Sequence, residues 1–100
     1  MNAAMSYNLH FRRITEEDRE FLYRVYSSTR QEELALVPWS EGEKAAFLEM
    51  QFKAQHQYYQ ERFQKAEFQI VLQDDKPIGR LYLDRREDML HLIDIALLPE

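Results

Sequence analysis

Around Ala66 the apolar residues of this chain change their spacing from three or four to two, and that switch bounds what the chain can fold into. Upstream, Phe47, Met50, Ala54 and Tyr58 step along one helical face, and Leu48, Phe52 and Tyr59 widen the stripe. Downstream, Phe68, Ile70 and Leu72 alternate with Gln69 and Val71, Asp74-Asp75-Lys76-Pro77 supplies a turn, and Ile78 to Asp84 continues as a second strand. After the polar connection Arg85-Arg86-Glu87-Asp88, Met89 to Leu98 alternates once more, which predicts an antiparallel meander of three strands behind a long helix.

The residues before that helix complete the pattern. Asn8 to Ile14 reads as a short strand, with Leu9 and Phe11 on one face and His10 on the other. Thr15-Glu16-Glu17-Asp18 gives a helix start: a hydroxyl to cap free N–H groups, an acid three residues on to reciprocate, and negative charge where the helix dipole favours it. Phe21, Leu22 and Val25 carry that helix to Ser27-Ser28-Thr29, whose side chains compete for backbone hydrogen bonds. Arg30 to Ala35 suits a second short helix before Pro38, and Ser40-Glu41-Gly42-Glu43 caps the long one, which runs to about Phe63. The order β-α-α-β-β-β predicts an α+β (mixed α/β) domain, helices packed on a mainly antiparallel sheet.

Composition narrows the function classes. With 13 basic against 18 acidic residues, the net charge of −5 disfavours a general electrostatic grip on nucleic acid or anionic membrane. The absence of cysteine excludes disulfides, thiolate nucleophiles and zinc–thiolate sites, and fits the cytoplasm. Met1 to Asn8 has no signal-peptide character, and no stretch approaches the roughly 20 apolar residues of a membrane span. The three histidines, at 10, 56 and 91, bring no third ligand at sensible spacing, so no metal is expected. His10 and His91 suit strands that pair, and His56 the polar margin of the long helix.

Three segments, Leu9 to Asp18, Pro77 to Leu83 and Ile93 to Glu100, together resemble the amino-terminal half of the GNAT superfamily of N-acetyltransferases, which move an acetyl group from acetyl-CoA to an amine. Leu9-His10-Phe11-Arg12-Arg13-Ile14-Thr15-Glu16-Glu17-Asp18 looks like the family's opening strand and entry into its first helix. Pro77-Ile78-Gly79-Arg80-Leu81-Tyr82-Leu83 looks like the strand in which a small residue follows a turn, and Ile93-Asp94-Ile95-Ala96-Leu97-Leu98-Pro99-Glu100 like the fourth strand and its closing Pro-Glu. In the family a Gln/Arg-x-x-Gly-x-Gly/Ala loop follows, where a helix N-terminus holds the coenzyme's pyrophosphate. Gly42 and Gly79 form no such loop. The expectation is therefore one domain over residues 1–100, truncated after the fourth strand and weak or inactive as a catalyst at this length.

What the resemblance implies for individual residues follows. The backbone of Ile95, Ala96 and Leu97 would face the pantetheine arm and acetyl carbonyl of acetyl-CoA, the co-substrate. Asp94 is the candidate general base; alternation sets it on one face with Leu90, Leu92, Ala96 and Leu98, where burial without a partner favours proton uptake. An ion pair with Arg80 or Arg12, simple exposure, or the orienting of a water are its other readings. The acceptor amine, small molecule or peptide, would lie between the first two helices and the sheet near Thr29-Arg30-Gln31-Glu32-Glu33 and Trp39, with Arg30, Glu32, Glu33 and Trp39 as the candidate contacts. Glu32 and Glu33 either attract a cationic amine or form a solvated turn balanced by Arg30. Trp39 is either a platform or a packed anchor, and Tyr82 is expected in the core rather than in catalysis.

A second class stays open: a non-catalytic binding module. An apolar final strand offers an edge that pairs with an identical strand in a homodimer or adds to a partner's sheet.

Overall fold

The computed structural model describes residues 8–99. The leader-free reading of residues 1–7 and the Glu100 of the closing Pro-Glu pair lie outside the described residues. Strand β1 (Leu9–Arg13) leads through a 3-10 turn at Glu16–Asp18 into helix α1 (Arg19–Ser28). A short α2 (Gln31–Ala35) and the long α3 (Glu41–Arg62) follow, then strands β2 (Glu67–Gln73), β3 (Lys76–Arg85) and β4 (Leu90–Leu97). The sheet order is β1-β2-β3-β4 and every neighbouring pair is antiparallel.

Local chemistry sets the element ends. Ser40 Oγ accepts the Glu43 N–H at 3.1 Å while Glu43 Oε1 accepts the Ser40 N–H at 2.9 Å, so two of the orphan donors at the start of α3 are satisfied. At the other end of α1, Ser28 Oγ and Thr29 Oγ1 donate to the carbonyls of Val25 and Tyr26, each at 2.7 Å, and the helix stops there. The β2–β3 hairpin closes on Asp74 and Asp75, both left-handed at φ 49° and 73°, the twist a two-residue turn needs.

The helices lie on one face of the sheet. Residues that pair across antiparallel strands share a face, so Arg12, Ile70 and Arg80 lie together, as do Phe68, Tyr82 and Asp94. Ile70 packs with Leu22, Tyr26, Leu34, Leu48 and Phe52 from the three helices; Phe68 and Tyr82 pack with Tyr59 and Phe63 at the end of α3. The opposite face carries Leu9, Phe11, Leu90, Leu92, Ile95 and Leu97, each about half exposed.

Two sequence expectations change here. The buried face of α3 runs through Leu48 and Phe52 to the half-buried Tyr59, whereas Met50, Ala54 and Tyr58 are exposed. Gln51 and Gln55 occupy the inward positions instead, because each has a hydrogen-bonding partner below it. In β4, Tyr82 pairs with Asp94 but Leu83 pairs with Leu92, leaving Ile93 as an extra residue. That bulge reverses the alternation, so Leu90 and Leu92 do not share the face of Asp94. Ile93 packs inward against the Ala66, Phe68 and Tyr82 cluster.

Candidate functional site

The bulge brings Asp94 under α3, where its surroundings are polar. Arg80 Nη2 donates to Asp94 Oδ2 at 2.8 Å and to Gln55 Oε1 at 3.1 Å, and Tyr59 Oη donates to the same Asp94 oxygen at 3.1 Å. Of the alternatives the sequence left for Asp94, the ion pair with Arg80 is the one formed; Arg12 pairs with Asp18. A buried guanidinium without a counter-charge is strongly unfavourable, so this pair holds β3, β4 and α3 to one another.

Tyr82 sits beside this network and is fully buried, its ring edge-on to Phe68 at 4.8 Å and to Tyr59 at 5.7 Å. It is core, as expected. Burial pushes its phenol up to about 12. Its hydroxyl and Arg80 Nε have no hydrogen-bond partner among the described residues. Burial likewise raises the Tyr59 phenol, with the Asp94 charge adding to the effect. His56, half-buried, stacks on Phe52 at 5.5 Å; desolvation, with Arg19 and Arg80 nearby, lowers its pKa below the ordinary imidazole value.

Beyond the bulge, Ile95, Ala96 and Leu97 pair with Leu81, Arg80 and Gly79. Because β4 is the last strand in the sheet order, their other edge is unpaired among the described residues. Gly79 is required here: a Cβ would fall inside contact with the Ala96 carbonyl oxygen and 2.6 Å from Leu97 Cδ2. The missing side chain lets β4 lie close against β3.

Of the four residues expected around an acceptor, Arg30 and Glu33 lie together. Arg30 donates to Gln51 Oε1 at 3.1 Å and lies over the Tyr26 ring at 5.8 Å, with Glu33 Oε1 3.8 Å from its Nε. Glu32 and Glu33 are exposed on α2, and Trp39 rests edge-on against Phe47 at 5.3 Å. A cleft of about 470 Å³ opens nearby, between α1, α2 and the start of α3, and Gln31 of the expected segment lines it together with Leu34 and Ala35 of α2. It lies within the helical layer, with no sheet residue among its walls. The sequence pointed to neither Ser27 nor Lys44, which also line it.

His10 and His91 occupy opposite edge strands, β1 and β4, so they cannot pair across the sheet as the sequence suggested. Among the described residues no three His, Asp or Glu side chains converge as metal ligands, and no helix is long and apolar enough to cross a membrane.

No family model matches the chain, and no curated protein matches it significantly. A solved structure does: PaiA N-acetyltransferase from Thermoplasma acidophilum in complex with coenzyme A, with TM-score 0.56 and 18% identity over 92% of this chain. The fold is GNAT-like. At that identity the likeness is one of fold, and the chain spans 60% of the length of that N-acetyltransferase. The order of elements along the chain and the helices packed on an antiparallel sheet are the parts that the sequence resemblance led one to expect.

Proposed function

We propose that this chain is an N-acetyltransferase-type domain, the first part of a GNAT-like enzyme, that takes acetyl-CoA as co-substrate and an amine as acceptor. The observation that carries the reading is the β4 bulge at Ile93, after which the strand presents an unpaired backbone edge at Ile95, Ala96 and Leu97. In this reading that edge accepts the pantetheine arm and directs an N–H at the thioester carbonyl. The amine nitrogen forms its bond to the carbonyl carbon, the C–S bond breaks, and the thiolate leaves with its proton drawn from solvent.

Asp94 is the candidate residue for the amine's proton. Both of its hydrogen bonds fall on Oδ2, so Oδ1 is the oxygen left to orient a water that receives the proton. Arg30, at the α1–α2 junction, Glu32 and Glu33 on α2, and Trp39, between α2 and α3, are the candidate acceptor contacts. As a 100-residue chain the protein is expected to bind acetyl-CoA weakly and turn over slowly or not at all. Isothermal titration with acetyl-CoA tests this: saturable binding supports the reading, and no heat of binding from a folded chain rejects it.

The apolar face and edge of β4 favour a second reading, a binding module that associates through that strand, as a homodimer or with a partner's sheet. Light scattering across a range of concentrations separates the two, since dimerisation without coenzyme binding is the outcome peculiar to the module.

A further inference from the structure

Three consecutive hydroxyl residues end α1, and they do not behave alike. Ser28 and Thr29 return their hydroxyls to backbone carbonyls three residues earlier, but Ser27 Oγ is buried and has no hydrogen-bond partner among the described residues. A buried hydroxyl left unpaired is destabilising, and proteins keep such groups where something else completes them. Ser27 lines the cleft of about 470 Å³ between α1, α2 and α3.

Across that cleft stands Lys44, whose side chain is only 17% exposed. Its nearest counter-charge is Glu41 Oε2 at 3.8 Å, on a side chain that is 95% exposed, so solvent screens the pair and it does little to satisfy the ammonium. The cleft is therefore lined by a weakly paired cation and by a serine whose buried hydroxyl has no partner among the described residues, with Gln31 also on its wall. Apart from Glu41 at the rim, the remaining walls are apolar or aromatic: Leu34, Leu48 and the Tyr23 ring among them.

We propose that this cleft binds a small monocarboxylate with a short apolar body, its carboxylate taken by Lys44 and by the Ser27 hydroxyl once that side chain rotates toward the cleft, and its hydrocarbon part laid against Leu34 and Leu48. One carboxylate needs what the cleft offers, namely one cation and neutral donors. Glu41 at the rim disfavours a dianion such as phosphate, and the apolar walls give nothing to a fully polar ligand. The site shares no residue with β4, so it stands independently of coenzyme binding.

The test is an amide chemical-shift titration of the 100-residue chain with hexanoate, inorganic phosphate and hexylamine in parallel. Hexanoate is expected to give saturable shifts at Ser27, Gln31 and Lys44, with phosphate and hexylamine giving none. Lys44→Met should weaken hexanoate about tenfold or more and Ser27→Ala by a smaller factor, both variants keeping the wild-type spectrum elsewhere. Hexanoate shifts that never saturate, binding that survives both substitutions, or preference for the amine or for phosphate would each overturn the proposal.

Discussion

Arg80 and Asp94 meet beneath α3 from neighbouring strands, Nη2 2.8 Å from Oδ2, with side chains only 4% and 17% exposed. The contact exists because the extra residue Ile93 brings Asp94 opposite Tyr82 and on the same face as Arg80. Removing one partner strands a buried charge. Asp94→Ala is expected to cost about 3 kcal/mol in urea unfolding. Arg80→Met in the same background should cost clearly less than the sum of the two single changes, because the orphaned cation is gone. Strict additivity would mean that the pair is not coupled in solution.

A second ion pair makes stability sensitive to acid. Arg12 grips Asp18 through both of its terminal nitrogens at 2.8 Å, and the Thr15 N–H adds a third bond at 2.8 Å. Chiefly through Arg12, and against the opposing effect of burial, the Asp18 carboxyl falls from 3.8 to about 2. Because the folded value is the lower one, this contribution is complete above about pH 4 and fades as the pH drops toward 2. Arg12 is half exposed, so screening limits it to about 1 kcal/mol. Asp18→Asn should lose about that much at neutral pH and flatten the acid limb of a stability–pH curve; an unchanged limb would assign it to other carboxylates.

The Asp74-Asp75 turn holds two non-glycine residues at positive φ. Aspartate tolerates that region better than most residues, but glycine does so without steric cost. Asp75→Gly, which creates the Asp-Gly pair favoured in such hairpins, should raise stability by about 0.5 kcal/mol in thermal or urea unfolding. A loss would show that the Asp75 side chain contributes more than its strain.

Gly79→Ala probes the close approach of β3 and β4. The new methyl would collide with the Ala96 carbonyl and Leu97, and β4 backbone cannot move without disturbing its ladder. A loss of about 2 kcal/mol is expected, with amide shifts concentrated at residues 95–97. Small shifts spread evenly over the sheet would argue against tight contact at this point.

Much of the architecture was readable because spacing survives folding. The change of period at Ala66, the Ser40-x-x-Glu43 cap and the Asp74-Asp75 turn each act through nearest neighbours, and the elements they bound follow. The bulge was not readable: Leu90, Leu92, Asp94 and Ala96 alternate without interruption in the sequence, and only pairing with Tyr82 and Leu83 reveals Ile93 as the extra residue. The inward Gln51 and Gln55 escaped for a related reason. A glutamine on a helix reads as solvent-facing until Tyr26, Arg30 and Arg80 are brought beneath it as partners. Ser27 and Lys44 gave no signal at all, since the cleft that joins them forms only when α1, α2 and α3 pack.

In the proposed function β4, bulged at Ile93, offers its unpaired edge at Ile95, Ala96 and Leu97 to acetyl-CoA. The most direct measurement is an amide chemical-shift titration of the chain with acetyl-CoA, compared with its Gly79→Ala variant. The account predicts saturable shifts centred on Ile95, Ala96 and Leu97 that weaken in the variant. Absence of binding, or shifts confined to residues away from β4, would contradict it.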